Sequence, residues 1–217
     1  ISKTNIEFFN KYIMNIKKFL WNINKIEIFS ENLNNEKILK FQNKKENLFS
    51  IIRYSNLYDY LLADLKKNKL VKFKKSIKYK TIVEKEADLI FNCDSKNLIS
   101  KKFFYKKINK DYDSLAHITI FKHKSLTNNH IASQIFTKKG PIAFLPISSS
   151  ETSVVYSVKG KKDLNLNDLI KKYNTQYEIL KIYDTVNFEL KSSNLRTYSY
   201  KNILAFGDML HRLHPLA

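Results

Sequence analysis

The residues best placed to do chemistry lie in the string Gly207-Asp208-Met209-Leu210-His211-Arg212-Leu213-His214-Pro215-Leu216-Ala217, which follows the strand-length apolar run Ile203 to Phe206. Glycine lets backbone come close to a ligand, and an aspartate just past a strand end can accept hydrogen bonds from ligand hydroxyls at the carboxyl edge of a sheet. His214-Pro215 fixes an extended, rigid turn. His211 and His214, three residues apart, have the types of metal ligands, but Pro215 breaks the helix that would present them together. No Cys or carboxylate cluster joins them, so no metal is expected. Hydrolase chemistry needs an activated nucleophile; there is no G-x-S-x-G, and Cys93 has no evident histidine partner. No catalytic acid or base is assigned. Taken alone, Gly207-Asp208 is better read as a buried strand running into a polar turn.

The whole string resembles the second flavin-binding motif of the FAD-dependent aromatic hydroxylases with the para-hydroxybenzoate hydroxylase fold. The resemblance is to their ubiquinone-biosynthesis branch, where the motif runs Gly-Asp-Ala-Ala-His-x-x-His-Pro-x-Ala-Gly-Gln-Gly. Met209 and Leu210 stand where two alanines are usual, and the sequence stops at Ala217, before the Gly-Gln-Gly. Ser133 to Phe136 and Gly140 to Pro146 resemble the same branch, as does Leu20-Trp21 ahead of a short strand pair. Asn92-Cys93-Asp94-Ser95 takes the place of a Gly-Ala-Asp-Gly motif, with Asp94 matching and Asn92 and Ser95 replacing glycines.

The resemblance implies FAD as cofactor. Asp208 would hold the ribityl chain, Gly207 would permit its approach, and His214, Pro215, Leu216 and Ala217 would lie along the isoalloxazine ring. Arg53, just before a leucine-bearing helix, would sit near the phosphate and ribityl portion, and Asp94 near both flavin and nicotinamide nucleotide. From the residues alone, Arg53 is equally a surface charge at a loop and Asp94 equally a turn residue. The implied activity is a monooxygenase using NAD(P)H and O2 to hydroxylate the ring of a polyprenylated phenol in ubiquinone biosynthesis. Peripheral association with a membrane or with a complex of that pathway fits such a substrate. The rival is a decayed, non-catalytic flavoprotein-like domain, favoured by Ser95, Met209 and Leu210.

Composition narrows the classes. With 217 residues, 43% apolar, Tyr 13 and Phe 15, the chain can bury a real core. Gly140, Gly160 and Gly207 are its three glycines and lie far apart, so no G-x-G-x-x-G phosphate loop exists in it. With Ile1 at its start, the sequence reads as an internal fragment, and residues 1–217 are expected to bind FAD weakly by themselves. The single Cys93 fits a reducing compartment, and no apolar run approaches the roughly 20 residues that span a bilayer; a cytoplasmic location, peripheral on the inner membrane, is expected. The net charge of +19 suggests nucleic acid, but the lysines are scattered through every segment and no RNA- or DNA-binding motif gathers them. Nucleic acid is therefore not expected as a partner.

The elements that must position these residues are those of an α/β (α+β) protein: a partial FAD-binding Rossmann-like domain interleaved with an antiparallel β-sheet substrate domain. Residues 1–24, 49–100 and 191–217 are assigned to the first, residues 25–48 and 101–190 to the second. Apolar spacing predicts helices over residues 4–21, 56–70 and 163–177. Alternation predicts a hairpin of 26–30 with 37–42, short strands at 70–73, 77–83 and 87–91, and four strands at 116–121, 131–136, 142–147 and 152–158.

Overall fold

The computed structural model describes residues 1–33, 36–43, 46–74, 87–160 and 164–213. The strand expected at 77–83 lies outside the described residues, as do His214, Pro215, Leu216 and Ala217. The architecture is α+β. The first elements are helix α1 (Lys3–Phe8), strands β1 (Trp21–Ile23), β2 (Lys25–Ser30), β3 (Glu36–Gln42) and β4 (Phe49–Ile51), and helix α2 (Tyr54–Lys67). Then come β5 (Ile90–Asn92), α3 (Leu98–Phe103), β6 (Lys107–His123), β7 (Ile131–Thr137), β8 (Gly140–Pro146), β9 (Glu151–Lys159) and α4 (Leu166–Tyr173). The last are β10 (Ile179–Ile182), β11 (Val186–Leu195), β12 (Ser199–Tyr200), β13 (Ile203–Ala205) and β14 (His211–Arg212). The chain forms two compact units: residues 1–69 with 114–188, and residues 70–113 with 189–217.

The larger unit is built on a sheet in the order β6-β9-β8-β7-β2-β3, with β10 also pairing β6. Pairing is antiparallel throughout except between β2 and β7. Successive side chains of a strand point to opposite faces, so register decides which residues share a wall. Thr119 pairs Val154, which pairs Phe144; Phe121 pairs Thr152; and Ile142 lies between Tyr156 and Ile135. This row is the buried face, and Leu166, Ile170 and Tyr173 of α4 pack on it. The helix suits that place: Asn165 caps it by accepting from Asn167 N, Asp168 lies in its first turn, and Lys171 and Lys172 in its last. Glu31 pins the far end of α4. Its Oε1 accepts from Lys172 Nζ and the Tyr173 hydroxyl, both at 2.8 Å, and its Oε2 accepts from Lys138 N at 2.9 Å. The Lys172 ammonium above all, then the Lys138 N–H and the Tyr173 hydroxyl, hold the Glu31 carboxyl down to about 2.

A polar cluster closes one end of the same face. His123 Nδ1 donates to Lys124 O, which leaves Nε2 to accept from Thr152 Oγ1 at 3.1 Å. Buried Asn129 donates to Ser148 O and accepts from the Tyr177 hydroxyl, and Trp21 Nε1 donates to Asn129 O at 2.7 Å. Burial pushes the Tyr177 phenol up. Trp21 is thus a packing residue, stacked on His130 at 4.8 Å between ring centres.

Two expected elements come out differently. The helix predicted over 4–21 stops early: α1 passes into a single π turn, Phe9–Ile13, Met14 is extended, and a 3-10 turn covers Lys17–Phe19. Asn10 and Asn15 are the physical reason. Their side chains accept from Ile16 N and Lys17 N, offering the backbone an alternative to helix, and Ile16 is fully buried in the result. Ser2 caps α1, its hydroxyl oxygen accepting from Asn5 N. Leu70 to Phe73 forms no strand either; Leu70 is 92% exposed and Phe73 57%.

Candidate functional site

In the smaller unit β13 lies between β12 and β5. Ile203 pairs Ile90, Leu204 pairs Phe91 and Ala205 pairs Asn92, all parallel, so both strands end at the same edge. Ile203 and Ala205 face inward against Ile99, Phe104, Leu195 and Met209, which anchors the strand that delivers the site. The edge continues past the strands, where Phe206 N donates to Asn92 O at 2.9 Å. A 3-10 turn then runs Gly207–Met209, closed by Leu210 N to Gly207 O. Gly207 sits at φ +63, and a Cβ built there would meet nothing within 4 Å. Backbone conformation requires the glycine, and the space beside it stays open. Asp208 is exposed on that turn and makes no ion pair among the described residues.

The facing loop, residues 93–97, is held by side chains rather than by backbone pairing. Asp94 accepts from Lys96 N at 2.7 Å, an Asx turn, and Asn97 caps α3 by accepting from Ser100 N at 2.8 Å. Ser95 stands on the turn without a positive φ; among the described non-glycine residues only Asp113 and Lys201 have one. The turn is therefore built differently from a glycine turn, and the serine carries no steric cost. Beneath it lies Asn92, 4% exposed. Its Nδ2 donates to Ser100 Oγ at 2.8 Å and to Met209 Sδ at 3.2 Å, and its Oδ1 accepts from Asn97 Nδ2 at 2.6 Å. Ser100 Oγ donates in turn to Asp94 O. A buried amide so satisfied fixes the 93–97 loop against the 207–209 turn. Sequence reading missed this role of Asn92, Ser100 and Met209. Asn92 and Met209 register there only as departures from family motifs.

A cleft of about 460 Å³ opens beside the turn, with Ser95, Lys107, Lys110, Asp208 and Arg212 on its walls. Asp94 spends its carboxylate on the loop, and Ser95 lines the cleft instead. His211 lies on β14 and its Nδ1 donates to Asn194 Oδ1 at 2.9 Å, tying the segment after the turn to β11.

Arg53 belongs to the larger unit, so the predicted residues fall into two places: Gly207, Asp208 and Asp94 in one unit, Arg53 in the other. Arg53 occupies the N-cap position of α2, and its Nη2 donates to Glu151 Oε2 at 2.5 Å. That pair borders an apolar cleft of about 590 Å³, walled by Ile118, Ile120, Val186 and Phe188 with Tyr183. Ile118 and Ile120 project from the sheet face opposite α4. Such a wall can take an aromatic or aliphatic ligand by burial alone, with one guanidinium at its rim.

No family model and no curated protein matches this sequence. Solved structures do. Native and K252c-bound RebC-10x superposes with a TM-score of 0.72 at 11% identity, covering 99% of this chain and 50% of that one. The flavin-dependent brominase Bmp2 gives 0.64 at 12%, covering 97% and 59%. A variant of 2-methyl-3-hydroxypyridine-5-carboxylic acid oxygenase gives 0.64 at 14%, covering 92% and 60%. The chain thus spans about half to three fifths of the length of these proteins. At such identities the likeness is one of architecture, and the chain has a fold like that of the flavin-dependent aromatic hydroxylases and halogenases.

Proposed function

We propose that this chain is part of an FAD-dependent monooxygenase that hydroxylates the aromatic ring of a polyprenylated phenol in ubiquinone biosynthesis. One observation carries the reading. Two parallel strands end together, and the turn beyond them presents a left-handed glycine with open space beside it and a carboxylate free to accept hydrogen bonds. That is what a hydroxyl-bearing ligand needs at the carboxyl edge of an α/β sheet, so the residues present fit a ribityl chain.

FAD, when bound, supplies the redox chemistry by which one atom of O2 enters the ring and the other leaves as water at the expense of NAD(P)H. The chain's own residues bind and orient. Asp208 accepts from the ribityl hydroxyls, Gly207 keeps side-chain atoms out of their path, and Asn92 with Met209 holds the two loops at fixed separation. His214, Pro215, Leu216 and Ala217 remain the residues assigned to the ring by resemblance. In the larger unit, the apolar wall of Ile118, Ile120 and Phe188 would exclude water from a prenylated ring, with Arg53 positioned by Glu151. Such a substrate suits a peripheral place on the inner membrane, and no helix among the described residues is long and apolar enough to cross one.

The rival, a domain that has lost its activity, drew on Ser95, Met209 and Leu210. Each is accommodated: Ser95 without positive φ, Met209 buried against Asn92, and Leu210 packed on the same core. The test is FAD binding followed by flavin fluorescence for the wild type and Asp208→Ala. Losing a charge-assisted hydrogen bond should weaken binding roughly tenfold or more. Equal affinity of the two proteins removes Asp208 from the cofactor site and the hydroxylase reading with it.

A further inference from the structure

The cleft beside Asp208 has a charge pattern that a flavin's polyol chain does not use. Its walls carry the cations Lys107, Lys110, Lys191 and Arg212 against the carboxylates Asp111 and Asp208. Lys191 is already engaged, at 2.8 Å from Glu189 and 3.1 Å from Asp111, and those contacts, Glu189 first, raise its pKa. Lys107 and Arg212 make no ion pair among the described residues. Lys110 lies over the Tyr112 ring at 5.0 Å, and the Tyr112 hydroxyl reaches Ser192 Oγ at 3.2 Å. Three cations are thus left facing a single free carboxylate.

Ser95, Ser192 and Ser193 add hydroxyl donors to the same walls. Arg212 is fixed opposite Ser193 by the pairing of β14 with β11, so its guanidinium projects from ordered backbone rather than from a loose tail. Lysine, arginine and serine together form the donor set that phosphate oxygens select. Asp208 in the same cleft selects against a bare polyanion, because its carboxylate repels phosphate and accepts only from donors. A ligand satisfying both ends carries free hydroxyls a few bonds from a phosphate. The volume, about 460 Å³, lies in the range of small-molecule sites.

We propose that this cleft binds a phosphate ester bearing free hydroxyls, a sugar phosphate or a nucleotide, with Lys107, Lys110 and Arg212 on the phosphate and Asp208 on the hydroxyls. The inference rests on the reading of Asp208 as a hydroxyl acceptor and adds a phosphate subsite formed by side chains, in a sequence without a glycine-rich phosphate loop.

The 217-residue chain is titrated by calorimetry with ribose 5-phosphate and ADP, and with their uncharged counterparts ribose and adenosine, at low and moderate salt. Each phosphorylated ligand should bind at least about tenfold more tightly than its counterpart, with the gap narrowing as salt rises. A Lys107→Gln/Lys110→Gln variant, checked by circular dichroism for intact fold, should close most of that gap; Arg212→Gln should narrow it. Asp208→Asn should instead erase the advantage of ADP over inorganic pyrophosphate. ADP against ribose 5-phosphate tells which class of ester the site prefers. Equal binding of charged and uncharged ligands, or an affinity untouched by the lysine variant, overturns the subsite. If Asp208-dependent FAD binding persists in that case, the flavin reading survives; if FAD binding proves indifferent to Asp208 while the lysine-dependent phosphate affinity stands, the flavin reading alone falls.

Discussion

Gly140 and Gly207 both hold backbone that L-residues avoid, at φ +147 and +63, yet their surroundings are opposite. A Cβ on Gly140 would lie 1.9 Å from Ser157 O, inside the packed β8-β9 pairing of the larger unit. On Gly207 it would project into open space. One glycine is there because two backbones touch; the other is there only to turn the chain. The sheet face under α4 in the larger unit is closely packed, whereas the edge at the ends of β5 and β13 in the smaller unit stays open beside Gly207. Empty, polar-lined space beside a special backbone conformation is where a ligand belongs.

The largest expected effect tests the filled side. Gly140→Ala should destabilise the larger unit by about 3 kcal/mol or more, because strands must move apart in addition to the cost of the positive φ. Chemical denaturation measures this, and a loss below about 1 kcal/mol would show that the β7-β8 turn relaxes freely. Asn92→Ala comes next, at about 1–3 kcal/mol, since Asn97, Ser100 and Met209 lose a buried partner together. A double-mutant cycle with Met209→Ala should return a coupling of about 0.5 kcal/mol or more; strict additivity would mean the two loops are held independently. Gly207→Ala should cost only about 1 kcal/mol, the αL penalty with no clash. It should nevertheless weaken FAD binding by more than its small stability cost, as the new methyl occupies the approach to Asp208.

How much was legible in the sequence follows the same divide. Ala116 to Phe121, Ile131 to Phe136, Ile142 to Ile147 and Thr152 to Val158 read as strands because they are β-rich apolar runs separated by turn residues at Asn128-Asn129, Lys138 to Gly140 and Ser148 to Ser150, and in the structure alternate residues of them are buried under α4. The hairpin of β2 and β3 was visible through alternation, and α2 through its apolar stripe. The first helix misled because apolar spacing says nothing of Asn10 and Asn15 competing for Ile16 N and Lys17 N. At the site, Gly207-Asp208 and Asp94 were visible as types after strands. The contact beneath them was not: Asn92 and Met209 are 117 residues apart, and no periodicity links an amide to a thioether. Each looked like a motif position lost, and together they form one packed contact. Side-chain hydrogen bonds between loops leave no pattern in a single sequence, and that is how this site is held.

The smallest effect contrasts two carboxylates. Glu31, beside the packed α4 face, is partnered by Lys172, Tyr173 and the Lys138 N–H, whereas Asp208 has no such partners among the described residues. A carboxyl whose folded-state pKa is depressed contributes stability that is complete above its unfolded pKa and is lost as pH falls through the folded one. For Glu31 that window runs from about 4.5 down to about 2. Glu31→Gln should therefore flatten part of the acid-side loss of stability in that window and lower stability at neutral pH, with the slope read from urea midpoints at successive pH values. Asp208→Asn should change neutral-pH stability by less than about 0.5 kcal/mol while impairing ligand binding. A stability loss for Asp208→Asn as large as that for Glu31→Gln would show the site's carboxylate to be a structural clamp, and the distinction between a packed face and an open edge would no longer hold.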